Sequence, residues 1–242
     1  MENVMGRIHS LESCGTLDGP GLRCVIFLQG CAMRCVYCHN PDSWCVTGGK
    51  VIGSEQLVQD VLSYRSFISS GGVTLSGGEP LLQPEFTLSV LEGCREHGLH
   101  TALDTAGGVS LKKCDTVVAA ADLLLLDIKA GEPELFRQIT GMGMEHTLEV
   151  LNLREQEGKP VWIRHVLVPE LTLNDAALHA LGELISRYKC VERVELLPFH
   201  KMGEYKWQAM GMQYTLDDVP PPAAEQISHA ADIIRQYTGT VV

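Results

Sequence analysis

Apolar and polar positions follow two periods in this chain, and the two alternate along its length. Between residues 22 and 28 the run L-R-C-V-I-F-L is apolar at nearly every position, the pattern of a buried strand, and Gly30 breaks it. From residue 54 the period becomes helical, with Leu57, Val58, Val61 and Leu62 on one face and Ser54 placed to cap the start. The exchange then repeats. Residues 72–76 predict a strand stopped by Gly77 and Gly78, 84–97 a helix, and 100–104 a strand ending at Asp104. Leu111, Cys114, Val117 and Val118 give the next helix its stripe. Residues 123–128 (L-L-L-L-D-I) are too continuously apolar for a half-exposed strand and suit a parallel sheet covered by helices. A helix near 145–157, a strand over 161–168, a helix over 174–188, a strand over 194–197 and a helix over 226–237 complete the series. Pro220, Pro221 and Pro222 make a stiff connector before the last helix.

Six strand–helix units predict an α/β fold with a parallel sheet, as a barrel or a doubly wound sheet. A chain of 242 residues fits one such domain, 1–242. The conspicuous polar residues share a location within it. Gly78 and Glu79, Asp104, Asp127 and Lys129, and His200 all fall at or just past the carboxyl end of an expected strand, where parallel barrels build active sites.

Composition narrows the classes. A net charge of −11 argues against nucleic acid as the main partner, because phosphate binding needs a basic surface. No run of eighteen apolar residues spans a membrane, and the N-terminus lacks a basic start and apolar centre, so a cytoplasmic location is expected. Nine cysteines are an odd number in a large chain. Cys14, Cys24, Cys45, Cys94, Cys114 and Cys190 are read as reduced structural or incidental thiols.

The other three stand apart. In C31-A-M-R-C-V-Y-C38, directly after the first expected strand, Cys31, Cys35 and Cys38 have the spacing that holds three corners of a four-iron cluster. The fourth iron is left open to bind a small molecule. Zinc is the alternative, but it needs a fourth ligand, and neither His39 nor Cys45 completes a familiar zinc spacing. In S76-G-G-E-P80 two glycines let the backbone approach a ligand, with the Glu79 carboxylate near; alone, such a segment is equally a tight turn. Asp127 and Lys129 stand two apart on a strand and face one side, as site residues or as an internal ion pair. Asp18 lies in the tight turn D-G-P-G-L-R before the first strand.

The cysteine motif, with Tyr37 before its last member and S-G-G-E-P downstream, resembles the radical S-adenosylmethionine (radical SAM) superfamily. C14-G-T-L-D-G-P-G-L-R23, Y37-C-H-N-P-D, W-I-R-H-V-L-V-P and K-W-Q-A-M-G extend the likeness over nearly the whole chain, to the activating enzymes of glycyl radical enzymes. The resemblance implies a (β/α)6 partial TIM barrel with a cluster loop at about 31–45. It implies one [4Fe-4S] cluster on the catalytic cysteines Cys31, Cys35 and Cys38. It further implies that S-adenosylmethionine contacts Tyr37, Cys38, His39, Gly78, Glu79, Asp104, Asp127, Ile128, Lys129 and His200. Asp104, Thr105 and Asp127 would hold a monovalent cation beside it, and Asp18 would face the substrate backbone. The implied substrate is a backbone glycine of pyruvate formate-lyase, reached by a 5′-deoxyadenosyl radical, with flavodoxin or a ferredoxin as electron donor. A monomer is expected. No insertion with further cysteine quartets lies between Cys38 and Ser76, which fits the compact single-cluster type. The rival readings are activation of another glycyl radical enzyme and a non-catalytic zinc-binding module.

Overall fold

The computed structural model describes residues 3–242, so the first two residues of the expected 1–242 domain lie outside the described residues. Eight strands form one sheet: β1 (Met5–Gly15), β2 (Arg23–Leu28), β3 (Lys50–Gly53), β4 (Gly72–Gly77), β5 (Thr101–Thr105), β6 (Leu123–Asp127), β7 (Val161–Leu167) and β8 (Val191–Pro198). The helices among the described residues are α1 (Ser54–Leu62), α2 (Arg65–Ile68), α3 (Pro84–Glu96), α4 (Asp115–Ala120), α5 (Pro133–Thr140), α6 (Glu145–Glu157), α7 (Asp175–Ile185), α8 (Glu204–Ala209) and α9 (Ala224–Ile234).

The strand order is β3-β1-β2-β4-β5-β6-β7-β8, and every pair from β2 to β8 is parallel. Those are the six expected parallel strands. The sheet stays open, with β3 and β8 at its edges, as a partial barrel requires. The C-terminus covers part of the β8 edge: Val194 N–H donates to Thr240 O and Leu196 N–H to Val242 O, both at 2.9 Å.

Strand parity sorts side chains between two environments. Cys24, Ile26 and Leu28 on β2, Leu124 and Leu126 on β6, and Val161 and Ile163 on β7 join the main core with the helices, including Leu57, Val90 and Leu178. The opposite parity faces the bore, where Ala102, Leu123 and Leu125 pack with Trp162. Each buried Leu or Ile in such a core stabilises by roughly 1.5–3 kcal/mol relative to exposure.

Two expectations need correction, and several elements were not anticipated. β1 and β3 were not anticipated: β1 carries His9, Ser10, Glu12 and Ser13, only Gly6, Ile8 and Gly15 along it are buried, and its register shifts between Ile8 and Ser10, which breaks the period of two. Ser54 is the first helical residue rather than the cap; its hydroxyl accepts the Val4 N–H at 3.0 Å, and Gly53 holds the cap position. The stripe from Leu111 to Val118 is split between a 3₁₀ turn, Leu111–Lys113, and the short α4. The helices α5 and α8, of 8 and 6 residues, are too short to establish a period.

Candidate active site

The carboxyl ends of the parallel strands open onto one cleft of about 260 Å³. Its lining has two parts. One is made of strand ends: Ser76, Gly77, Gly78, Asp104, Asp127 and Arg164. The other is the loop after β2, which contributes Cys31, Met33, Cys35, Tyr37, Cys38 and Trp44.

At the end of β4 the chain turns through Gly77, whose φ of 102° suits glycine alone. A Cβ on Gly78 would lie 2.2 Å from the Gly30 carbonyl oxygen. The turn is therefore pressed onto the start of the cysteine loop, and Glu79 N–H donates to Gly30 O at 2.7 Å. Glu79 itself does not line the cleft. Its carboxylate is 1% exposed and accepts from Thr105 Oγ1 (2.5 Å) and the N–H groups of Leu81 (3.1 Å), Ala106 (3.2 Å) and Gly108 (3.3 Å). Burial raises its pKa, against those four donors. Of the segment expected to contact the cofactor, Gly77 and Gly78 line the cleft, while the Glu79 carboxylate ties their turn to the loop after β5.

Asp127 and Lys129 both line the cleft, as their spacing predicts, and pair at 2.9 Å. Burial works against the Lys129 charge, but Asp127, Tyr37 and Cys35 outweigh it and hold its pKa well above the ordinary value. Ile128, between them, turns away; its side chain is buried in the main core and its carbonyl accepts from His165 Nδ1 at 2.7 Å. Arg164 was missed by the sequence reading, yet it ties the strand ends together. Its Nη1 lies 3.1 Å from Asp104 and 3.7 Å from Asp18, and its Nε 3.8 Å from Glu195. Burial opposes its charge, and Asp104, Asp127, Asp18 and Glu195 restore it. Burial also pushes Asp104 up to about 6 despite Arg164. Asp104 Oδ2 accepts from Ser76 Oγ at 2.6 Å, while Oδ1 is buried with no partner.

Asp18 reaches the cleft because its turn is anchored from beneath. Thr74 Oγ1 donates to Asp18 O at 2.6 Å, and the buried Arg23 guanidinium donates to Thr74 Oγ1 and Val73 O, both at 2.6 Å. The D-G-P-G-L-R segment is thereby fixed to β4, with its carboxylate toward Arg164.

The cysteine loop has little regular structure of its own. Arg34 and Val36 donate N–H bonds to the last carbonyls of α5, Thr140 (2.8 Å) and Ile139 (3.0 Å), and Cys31 N–H bonds Trp44 O at 3.3 Å. Burial pushes the Cys31 thiol up to about 12 and Cys35 to about 11. Burial raises Cys38 as well, against the N–H of Asn40, Lys129 and the indole of Trp44. Three such thiols are poor nucleophiles alone; iron in place of their protons removes that penalty. The residues fit the implied groups: three thiols in one cleft, a glycine backbone where a Cβ would collide, and two buried oxygens without partners, Tyr37 Oη and Asp104 Oδ1.

His39 lines the cleft and His200 does not. The two rings stack at 4.1 Å, and His39 Nε2 donates to His200 O at 2.9 Å. Thr105 lines the cleft, but its hydroxyl is committed to Glu79. Among the described residues no three His, Cys, Asp or Glu side chains gather closely enough to hold a single metal ion. No strand-end position marks Arg164 in the sequence; what brings it to the site is the β6–β7 register, which sets it opposite Asp127.

The Radical SAM superfamily model matches residues 25–181. The chain is 44% identical over 239 residues to a pyruvate formate-lyase 1-activating enzyme of Escherichia coli K12, covering 97% of both. It is 46% identical over 218 residues to a pyruvate formate-lyase-activating enzyme of Clostridium pasteurianum, covering 89% of this chain and 91% of that one. Among solved structures, a radical SAM methyltransferase from Sphaerobacter thermophilus shares the fold, with a TM-score of 0.68 at 16% identity over 91% of this chain and 65% of its own.

Proposed function

Because the chain belongs to the radical SAM superfamily and, within it, to the pyruvate formate-lyase activating enzymes, we propose that it removes a hydrogen atom from one backbone glycine of pyruvate formate-lyase. The observation that carries this reading is the meeting of Cys31, Cys35 and Cys38 with Gly78, Asp127, Lys129 and Asp18 in one cleft. Cys31, Cys35 and Cys38 would hold the [4Fe-4S] cluster, and the rest of the cleft would receive S-adenosylmethionine. When bound, the two supply hydrogen-atom abstraction through one-electron cleavage of a sulfonium C–S bond.

The protein's own residues bind, orient and shield. The Gly77–Gly78 backbone, braced by Glu79 and packed against residues 27–30 where a side chain would collide, lines the cleft and accommodates the polar end of the cofactor. Lys129, kept charged by Asp127, offers its ammonium to cofactor oxygens. Tyr37 and His39 supply flat surfaces, and Met33, Val166 and Leu197 exclude water from the reacting atoms. A monovalent cation belongs to the proposal in a narrower form: Asp104 Oδ1 and the Asp127 carboxylate are its candidate oxygens, while the Thr105 side chain is committed to Glu79. Asp18 accepts an N–H from the partner's glycine segment, which reaches the cleft through the open side of the sheet.

The electron donor is flavodoxin or a ferredoxin; exposed Arg34, within the cysteine motif, gives an acidic donor a cationic foothold. The chain acts as a single-domain monomer in the cytoplasm; no helix among the described residues is long and apolar enough to cross a membrane.

Electron paramagnetic resonance on anaerobic, reconstituted protein tests the reading. A reduced-cluster signal that shifts with S-adenosylmethionine, then a glycyl doublet on pyruvate formate-lyase, is the expected result. A cluster signal without the doublet moves the activity to another glycyl radical enzyme. No cluster signal returns the cysteines to zinc.

A further inference from the structure

The loop carrying the three thiols is fastened by an element more than 160 residues downstream, to which the reading above gives no task. Trp207, on α8, donates its indole N–H to the carbonyl of Cys38 at 2.8 Å. Its ring meets Trp44 edge-on, with centroids 5.1 Å apart, and Trp44 lines the cleft. Next to it, Lys206 donates from Nζ to Asn40 Oδ1 at 2.8 Å and Asp42 Oδ1 at 3.1 Å. The other oxygen of Asp42 is bonded by His9 Nε2 at 3.0 Å, which ties the segment to β1 as well. Gly203, just before α8, sits so near His39 that a Cβ there would lie 2.6 Å from the His39 Cα.

These contacts select one stretch of chain. Cys38 is held by Trp207, His39 is covered by Gly203, and Asn40 and Asp42 are held by Lys206. A helix of six residues that served only to fill the core would need none of those polar bonds. Trp207 is buried, whereas its neighbour Tyr205 is 65% exposed, so the helix turns inward the two residues that grip the loop. A hydrogen bond on the Cys38 carbonyl fixes the peptide plane beside the third thiol and thereby limits where Sγ can point. Groups that orient metal ligands in this way tune affinity and potential without touching the metal.

We propose that Lys206 and Trp207 are positioning residues that hold residues 38–42 in the shape the cluster and S-adenosylmethionine require. The proposal rests on the radical SAM reading. On this view the C-terminal part of the chain does more than complete the barrel: cofactor retention depends on it, through contacts made only once α8 has docked.

The test uses full-length protein, reconstituted anaerobically, as wild type, Trp207→Phe and Lys206→Met. Trp207→Phe keeps an aromatic ring and removes the N–H; Lys206→Met keeps the aliphatic stem and removes the charge. The readouts are iron release to a chelator, the line shape and midpoint potential of the reduced cluster, the KM for S-adenosylmethionine, and melting of the cluster-free protein. The expected result is iron release faster by about 10-fold or more in both variants, with a changed line shape, near-wild-type melting, and restoration in Lys206→Arg. Iron release and spectra equal to wild type would overturn the proposal. So would faster release accompanied by an equally lowered melting temperature, since that marks a merely structural role. A wild type that shows no four-iron signal would defeat the radical SAM reading itself, whereas a normal wild type with unaltered variants defeats the clamp alone.

Discussion

The two parts of the cleft lining are built on opposite plans. The strand-end part stands on a parallel ladder, in which β4, β5, β6 and β7 fix each other's register through backbone bonds. Its charged groups neutralise one another at short range: Lys129 with Asp127, and Arg164 with Asp104. The thiol-bearing part is a loop held by a few long-range bonds, from α5 at Arg34 and Val36 and from α8 at Cys38, Asn40 and Asp42. One part is self-supporting, and the other borrows its shape. Substitutions on the strand ends should therefore read out first as stability, and those in the loop first as cofactor content.

The largest expected effect tests the loop. Cys35→Ala removes one of the three thiols, so iron should fall to background and the glycyl doublet should vanish. The sheet does not depend on that thiol, and the cluster-free variant should melt within a few degrees of the wild type, a shift of about 1 kcal/mol. A variant that unfolds outright would show that the loop supports the sheet rather than the reverse.

Arg164→Met tests the strand ends. It leaves Asp104 and Asp18 facing one another without their cation, while Glu195 keeps Arg193 at 3.1 Å, and breaking a buried pair this way costs about 3–5 kcal/mol. For a chain of this size that corresponds to a melting temperature lower by roughly 10 °C. An unchanged melting temperature would mean that the carboxylates take up protons at no cost and that the network does not brace the fold.

How much of this could be read from the sequence follows the same division. Asp104, Asp127 and Lys129 were legible because a strand's period of two and the parallel topology place its last inward residues at the site. Arg164 shares the inward parity of Trp162 and Val166 but lies in the middle of β7; only the β6–β7 register, which sets it opposite Asp127, brings it to the site, and that register is not legible in the sequence. The role of Glu79 was not legible: that its carboxylate turns back to meet Thr105 and three backbone N–H groups depends on how β4 and β5 sit together. The part played by Lys206 and Trp207 was not legible either, since nothing local says that α8 will close on a loop 166 residues earlier. β1 escaped because only Gly6, Ile8 and Gly15 along it are buried and a register shift between Ile8 and Ser10 changes which parity faces inward, so no period of two is visible.

A smaller effect concerns pH and sharpens the claim that the strand ends are tightly buried. His165 follows Arg164 on β7, donates to Ile128 O, and leaves Nε2 buried without a partner. Burial drives its pKa down to about 4. The unfolded chain therefore binds the proton first, at about 6.5. Stability from this residue is fully present above pH 6.5 and is lost as pH falls toward 4, by roughly 3 kcal/mol. His165→Gln keeps an N–H for the Ile128 carbonyl and cannot titrate. Chemical unfolding of both proteins at several pH values should show a difference that grows below pH 6.5; parallel curves would place the ring in contact with water.

The smallest expected change in stability, and the most selective in function, belongs to Asp18. It sits on a turn that neither part of the lining owns, fastened to β4 by Thr74 and Arg23 through its backbone rather than its carboxylate. The carboxylate stands 3.7 Å from Arg164, which has Asp104 closer at hand, so its loss should alter stability by less than about 1 kcal/mol. Asp18→Asn preserves the shape and removes the charge. If the carboxylate receives the partner's glycine backbone, cleavage of S-adenosylmethionine without the partner should continue at the wild-type rate. Activation of pyruvate formate-lyase should meanwhile fall by about 10-fold, the loss of one charge-assisted hydrogen bond. An equal fall in both reactions would move Asp18 into the cofactor site. A fall in neither would leave Arg164 as its only partner, and the open side of the sheet would need a different group to receive the glycine segment.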